Sequence, residues 1–306
     1  MRTIGITGGT GFVGHHVTRL LRDAGNQVVI FTRNPEKKDQ SKDGITYCYW
    51  SPRENKCDLT CIQRVDAMVH LAGAGIAEKR WTKKRKEEIV KSRVETTAFL
   101  VDKLREHAPN CKTFISASAI GYYGADNNRA PFHESDRHAD DFLGDTCKKW
   151  EHEAIQAADF VRTTILRFGI VLGREAGAFK EFYKPVKFGV KPVLGSGKQV
   201  ISWIHIEDLV RFIYHCIRHE DINGIYNAVA PNPVTNKKLM DTIAQEKGGL
   251  AIPAPVPAAA LKLMLGEMST EVLKSCTVSA DKMSSTTGFQ FDYPDINSAV
   301  RQLLQS

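Results

Sequence analysis

The chain lacks any run of eighteen consecutive apolar residues, which excludes a membrane-spanning helix of ordinary length. It also lacks a charged-then-apolar leader. Met1-Arg2 runs straight into Thr3-Ile4-Gly5-Ile6-Thr7, so the N-terminus is expected to belong to the fold and the protein to be cytoplasmic. No paired set of metal ligands is present. The seven cysteines are scattered, only Cys57 and Cys61 are neighbours, and no second pair or histidine cluster completes a zinc site. No metal is expected, and the odd count reads as reduced, mostly buried thiols. Internal repeats and low-complexity tracts are absent too.

What is there is ordinary for a globular chain of 306 residues: 42% hydrophobic and 25% charged. Lys and Arg number 42 against 35 for Asp and Glu, a formal charge of +7 that suits a phosphate-bearing ligand. The densest basic run is Lys79-Arg80-Trp81-Thr82-Lys83-Lys84-Arg85-Lys86. It reads either as a solvated helix start or as an anion-facing wall of a site. Basic residues do not recur along a face and no nucleic-acid-binding motif accompanies them, so neither nucleic acid nor membrane is expected as a partner. A small-molecule substrate is expected, and a homo-oligomer is left open.

Periodicity organises the chain. Residues 3–7 read as a buried strand, Gly8–Gly14 as a turn, and Phe12–Ala24 as a helix with Val13, Val17, Leu20 and Leu21 on one side. Gly25-Asn26 stops that helix and residues 27–31 form the next strand, which makes a βαβ unit and implies a parallel sheet. The alternation continues with strands at 67–71, 112–117 and 162–168 and helices at 83–106 and 142–158. The fold class is therefore α/β, a doubly wound Rossmann parallel sheet with a smaller, mostly helical C-terminal substrate domain. The first domain is expected to span 1–172, with 201–230 returning to it; 173–200 and 231–306 form the second. Residues 251–257 read as a linker.

The turn Thr7-Gly8-Gly9-Thr10-Gly11-Phe12-Val13-Gly14 carries G-x-x-G-x-x-G between a strand and a helix. Gly8 leaves the strand tightly, Gly11 lets the backbone approach a pyrophosphate, and Gly14 lets helix and strand lie close. The helix start then offers free N–H groups and partial positive charge to a diphosphate. At the end of the second strand stands Phe31-Thr32-Arg33-Asn34-Pro35, with no carboxylate before Glu36 and with Lys37 and Lys38 following. An acid there would accept from a ribose 2′-hydroxyl. Arg33 would instead grip a 2′-phosphate, with Thr32 donating to it. The cofactor expected is NADP(H) rather than NAD(H), although Arg33 stacked on an adenine would suit NAD as well.

These residues resemble the extended short-chain dehydrogenase/reductase superfamily. Thr7–Gly14 is similar to its TGxxGxxG turn, His70-Leu71-Ala72-Gly73 to its second cofactor stretch, Ser116–Ala119 with Tyr122-Tyr123-Gly124 to its SSSxxVYG strand, Leu166–Gly173 to its LRxxxVYG segment, and Trp203–Asp208 to DYIHVDD. The epimerase-like subfamily of YfcH is nearer still. Its marks here are Lys79-Arg80-Trp81, Ser92-Arg93, Gly121–Gly124, Gly195–Gln199 and Ser202–His205, with a tail around Leu265–Ser269 and Gly288-Phe289. The resemblance implies that Thr10, Phe12 and Val13 line the pyrophosphate, that Leu71, Ala72 and Gly73 line the adenosine and its ribose, and that Val171 lies beside the nicotinamide. Arg93 stands where the superfamily has an Asn. Such an Arg needs a partner, either a cofactor phosphate or a carboxylate such as Glu88.

The resemblance also fails at instructive places. The superfamily's Tyr-x-x-x-Lys pair, in which the Lys lowers the Tyr pKa, falls on Leu143 and Cys147, and Lys148 and Lys149 are turned away by about 100° per residue. The one literal match, Tyr183 to Lys187, reads as chance, with Pro185 interrupting a helix there. Ser118 keeps the position of the catalytic Ser/Thr, and Tyr122 or Tyr123 is a candidate acid, the alternative being that both are aromatic walls of a pocket. Ile201 replaces the Arg that clamps a sugar-nucleotide diphosphate, which weighs against such a substrate. Lys198 could still meet an anion. His205 reads as a structural hydrogen-bonder at a helix start. The leading expectation is an NADPH-dependent oxidoreductase acting on a small carbonyl or enone held between Ser118, Tyr122/Tyr123, Trp203 and the C-terminal domain. Alternatives are a non-catalytic NADP(H)-binding sensor or scaffold, and an epimerase or dehydratase that recycles its dinucleotide.

Overall fold

A computed structural model describes residues 1–37 and 40–305; Lys38 lies outside them. Seven strands run mutually parallel: β1 (Thr3–Thr7), β2 (Gln27–Thr32), β3 (Ile45–Ser51), β4 (Ala67–His70), β5 (Thr113–Ala119), β6 (Arg162–Phe168) and β7 (Gly224–Ala228). Their order across the sheet is β3-β2-β1-β4-β5-β6-β7, so the direction of winding reverses between β1 and β4. Doubly wound sheets bind ligands at that reversal, beyond the carboxyl ends of the strands.

Strand side chains alternate between two buried layers, as parallel strands covered on both faces must. Ile4, Ile6, Val28, Ile30, Val69, Ile115 and Leu166 face helices α1 (Phe12–Asp23) and α4 (Ile206–Arg218). Val29, Phe31, Met68, Phe114 and Ile165 face α2 (Lys83–His107) and α3 (Phe142–Ile155). Helices α2 and α3 start where a side chain satisfies a free amide. Thr82 accepts from the Arg85 amide at 3.2 Å and Asp141 from the Gly144 amide at 2.8 Å. The basic run is thus partly a helix start, as one of its two readings had it. Helix α1 differs: its N-cap is Gly11, with no side-chain cap at all.

The rest of the chain packs around Phe179, Val186, Trp203, Leu239, Ile243, Val300 and Leu303, contributed largely by helices 178–187, 236–247 and 296–305. Three expectations need correction here. Residues 252–256 are not a linker but a strand paired in parallel with Val190–Leu194. Pro253 and Pro255 are tolerated because this pair has a free edge, where a missing N–H leaves no ladder bond unmade. Helix 178–187 runs through Pro185, which falls in its last turn. Trp203 is fully buried, its indole donating to the Asn232 carbonyl at 3.0 Å, so it cannot wall a substrate. Among the described residues no helix is long and apolar enough to cross a membrane.

The cysteines also differ from expectation. Cys48 on β3 and Cys61 on the short helix Leu59–Ile62 are joined as a disulfide, with Cα atoms 6.4 Å apart. Sequence distance concealed the pairing, because strand and helix pack on the same face of the sheet. The other five are free thiols.

One glycine shows how tightly this layer is packed. A Cβ on Gly5 would stand 2.7 Å from the Met68 methyl and 3.0 Å from the Phe31 ring. Gly5→Val is expected to lower unfolding free energy by about 1–3 kcal/mol through overpacking. Urea titration of the purified variant measures this, and an unchanged midpoint would contradict the packing described.

Candidate functional site

The carboxyl ends of β1, β2, β4, β5 and β6 lie at one edge of the sheet, where a doubly wound fold places its ligand. After β1, Gly8 turns with φ of 71°, a left-handed conformation that favours glycine. A Cβ there would lie 2.8 Å from the Leu71 carbonyl, and one on Gly14 would collide with the Gly8 carbonyl oxygen. The turn, the start of α1 and the exit of β4 are therefore in backbone contact. Thr10 and Gly11 are exposed at the turn, while Phe12 and Val13 are half-buried in the first helical turn. The first amides of α1 have no intrahelical acceptor, by the geometry of any helix, and no acidic side chain sits in this turn.

A buried chain of hydrogen bonds locks the fork below this turn. Thr97 donates to the Arg93 carbonyl at 2.6 Å, so His70 Nε2 must be the donor to Thr97 Oγ1 at 2.9 Å. His70 Nδ1 then accepts from the Thr7 hydroxyl at 2.6 Å. Burial pushes the His70 pKa down to about 3, which keeps the ring neutral. The chain ties β1, β4 and α2 together at the level of the site.

The two residues read as a 2′-phosphate grip leave β2 side by side. Thr32 is buried and its hydroxyl accepts from the Asn34 amide at 3.1 Å; Arg33 is exposed and has no ion-pair partner among the described residues. Leu71 and Ala72 line the crevice beside Gly8, and Gly73 follows, exposed. Val171 sits half-buried with Phe12: a Cβ on Gly177 would lie 3.2 Å from both the Phe12 ring and the Val171 carbonyl oxygen. Glu88 does not partner Arg93. It is held at 2.8 Å by Arg85, whose other nitrogen donates to the Gly75 carbonyl and to Glu78.

Beyond β5 the structure gathers the candidate catalytic hydroxyls but commits two of them elsewhere. Ser118 is buried and donates to Glu151 Oε1 at 2.6 Å. Glu151 is gripped on both oxygens by Arg167, each at 2.8 Å, and Arg167 is only 1% exposed. Arg167 also donates to the Tyr123 hydroxyl at 2.7 Å, and Tyr123 donates onward to Asn227 at 2.7 Å. Burial pushes the Tyr123 pKa up and its ring stacks on Phe132, so neither Ser118 nor Tyr123 presents a free hydroxyl to the crevice. Tyr122 is half-buried, with the Arg167 guanidinium 3.5 Å above its ring centre. The positions of the lost Tyr-Lys pair are occupied by Leu143 and Cys147, 7% and 4% exposed. Glu151 and Arg167 were not singled out from sequence. The signal was an arginine directly after the apolar pair Ile165-Leu166 near the end of β6, where burial requires an acid nearby.

His205 caps α4: its Nδ1 accepts from the Glu207 amide at 3.2 Å and its Nε2 meets Gln302 at 3.0 Å, the structural role expected of it. Lys198 is exposed on its glycine-rich loop.

Residues 4–228 match the NAD dependent epimerase/dehydratase family, and residues 256–303 match a domain of unknown function, DUF1731. The chain is 36% identical over 303 residues to the epimerase family protein YfhF of Bacillus subtilis, covering 98% of this chain and 97% of that one. It is 34% identical over 312 residues to the chloroplastic SDR39U1 homolog of Arabidopsis thaliana, covering 99% and 87%. The crystal structure of the human epimerase family protein SDR39U1 with NADPH superimposes with a TM-score of 0.87 at 27% identity, covering 99% of each chain.

Two outcomes test the site's internal architecture. Glu151→Gln leaves Arg167 buried without its counter-charge and is expected to cost about 3–5 kcal/mol of stability, read by denaturant titration; a loss below 1 kcal/mol would contradict the network. Burial also lowers the His205 pKa, to about 4. Below pH 6.5 the unfolded chain therefore protonates His70 and His205 while the folded chain does not. Stability should fall between pH 7 and pH 5 by about 2 kcal/mol per histidine. A flat profile in denaturant titrations over this range would contradict the neutral, hydrogen-bonded rings.

By the match over most of its length and the relatives that share its whole span, the chain belongs to the NAD dependent epimerase/dehydratase family.

Proposed function

We propose that the protein is an NADP(H)-dependent oxidoreductase that acts on a small carbonyl-type compound. The observation that carries the cofactor half of this reading is the interlock of Gly8, Gly14 and the Leu71-Ala72 backbone. It leaves the uncapped start of α1 open to a diphosphate with no side chain in between. The residues present fit the group: free amides for the diphosphate, Arg33 and Thr32 for a 2′-phosphate, Leu71, Ala72 and Gly73 for the ribose, and Phe12 with Val171 towards the nicotinamide. The NADPH bound to the human relative supports the same choice over NAD.

When bound, the dinucleotide supplies or accepts the hydride. The chain's own residues orient it and exclude water. Of the three hydroxyls considered, Tyr122 is the one not consumed by the Ser118–Glu151–Arg167–Tyr123–Asn227 network, and it is the residue assigned to proton delivery. Arg167 above its ring holds the phenol in place through a cation–π contact.

A second reading has its own observation. With Ser118 and Tyr123 tied off and Leu143 and Cys147 in place of a Tyr-Lys pair, the site would suit a protein that binds NADP(H) without chemistry, as a sensor or scaffold. The recycling epimerase is disfavoured by the same losses and by Ile201.

Calorimetry with NADPH and NADH tests the cofactor reading. Arg33→Asp is expected to weaken NADPH at least tenfold while changing NADH by less than threefold; equal effects on both would overturn the 2′-phosphate assignment. Oxidation of NADPH across a panel of small carbonyl compounds separates the two readings. Turnover lost in Tyr122→Phe supports the oxidoreductase, and tight binding without any turnover supports the sensor.

A further inference from the structure

Large apolar side chains crowd one exposed corner of the second part of the chain. Phe188, which closes helix 178–187, is 76% exposed, and Leu250, which follows helix 236–247, is 80% exposed. The two turns are neighbours. The Ile252 amide donates to the Gly189 carbonyl at 2.9 Å, and Val190 and Ile252 stand side by side at the head of the parallel strand pair. Both of these side chains are exposed as well. Gly248 and Gly249 lead to Leu250 through open space, since a Cβ on either would meet nothing within 4 Å. Single apolar side chains on a surface are ordinary, but four that adjoin on two projecting turns mark a contact surface.

The charge around this corner is mostly of one sign. Lys180, Lys184 and Lys187 recur at spacings of four and three along helix 178–187, on one face that ends at Phe188, and all three are exposed. Lys247 ends the other helix, just before the Leu250 turn. None of these four lysines has an ion-pair partner among the described residues. The acids of helix 236–247 are occupied: Asp241 binds Lys191 and Lys237, and Glu246 binds Arg301. Helix 178–187 carries one acid, Glu181. Part of the lysines' role is local, because positive charge suits the carbonyl end of a helix. Their long stems also let the charged heads stay at a polar rim while apolar tips between them leave water. The strand edge beside the patch offers little to another protein chain. Ile252 turns its N–H inward to Gly189, so positions 253 and 255 face the free edge, and both are proline. A second copy meeting this corner across a twofold axis would set lysines against lysines.

We propose that this corner docks the protein on an anionic lipid bilayer, with Phe188, Val190, Leu250 and Ile252 entering the headgroup region and Lys184, Lys187 and Lys247 meeting the lipids' negative groups. The apolar tips gain by leaving water. The lysines gain from a negative surface potential that falls off within a Debye length. Reversible attachment needs both signals together, and both are present on the same two turns. The contact is peripheral, since among the described residues no helix is long and apolar enough to cross a membrane. Sequence alone leads to the opposite expectation, because Lys187-Phe188 and Lys247 with Leu250 lie far apart in the chain and meet only through the pairing of strands 190–194 and 252–256. The inference is independent of the cofactor reading: none of these residues belongs to the glycine turn or to the Ser118–Glu151–Arg167 network.

The test uses the full chain and sucrose-loaded vesicles in roughly 0.15 M salt, where weak non-specific attraction is screened. One set is phosphatidylcholine alone and the other is phosphatidylcholine with phosphatidylserine, seven parts to three. Saturable co-sedimentation with the mixed vesicles is expected, at least tenfold tighter than with phosphatidylcholine alone. Phe188→Ser combined with Leu250→Ser leaves the net charge untouched and should weaken binding at least tenfold. Lys184→Gln combined with Lys187→Gln should weaken it about fivefold for each lysine removed. Both variants should keep the parent's urea midpoint, because the side chains changed are exposed. Phe188→Trp gives a second readout, in which brominated lipid in the mixed vesicles should quench the added indole beyond any quenching of the parent. No binding to the mixed vesicles would overturn the proposal, as would equal binding to both kinds. Unchanged binding in the serine variant would assign the attraction to basic surface elsewhere and overturn it too. Self-association that the serine variant abolishes, without vesicle binding, would give the corner to a second copy. Should either double variant fail to fold, an unquenched Phe188→Trp on bound protein would be contradiction enough.

Discussion

The molecule depends on a close approach of backbone to backbone at the fork between β1 and β4. Gly8 lies against the Leu71 carbonyl, and the first turn of α1 lies against Gly8, at separations that no side chain could share. From this contact follow the position of the helix start and the uncapped amides it exposes. The hydrogen-bonded line Thr7–His70–Thr97 holds the same fork from beneath. A doubly wound sheet places its ligand at this reversal because only here do neighbouring loops diverge to opposite faces.

The second organising element is the buried ion pair of Glu151 and Arg167. It occupies the region where a proton relay would be expected and converts it into a closed structural network. Ser118 and Tyr123 become members of that network, so residue types that in other contexts carry chemistry here hold β5, β6, β7 and α3 in register. The opposite happens at Arg93, which the same helices hold half-buried without a carboxylate. The buried arginine is fully answered by a carboxylate of the chain, and the half-buried one by a carbonyl of its own helix.

Much of this was legible in the sequence. The βαβ rhythm gave the sheet, because burial on both faces leaves continuous apolar runs, and the glycine turn announced its own geometry. The place of Arg33 at the end of β2 and the capping role of His205 could be read directly. What could not be read were relations between distant residues. The Cys48–Cys61 bond and the closure of Ser118 onto Glu151 arise from packing of elements that sequence spacing does not relate, whereas the capture of Glu88 by Arg85 is a pair three residues apart on α2. Trp203 misled because an aromatic in a motif near a site is equally at home in a core, and here the core won. Residues 252–256 misled because a proline-rich run is a strand only when a partner edge is available.

The central claim is that a diphosphate rests on the amides beginning α1, and nuclear magnetic resonance tests it without reference to any substrate. Titration of the nitrogen-15-labelled protein with NADPH should shift the backbone amides of Gly11, Phe12, Val13 and Gly14 more than those elsewhere in α1, and the shifts should saturate together. Saturable NADPH binding that left those four amides unmoved, or an absence of binding altogether, would contradict the account.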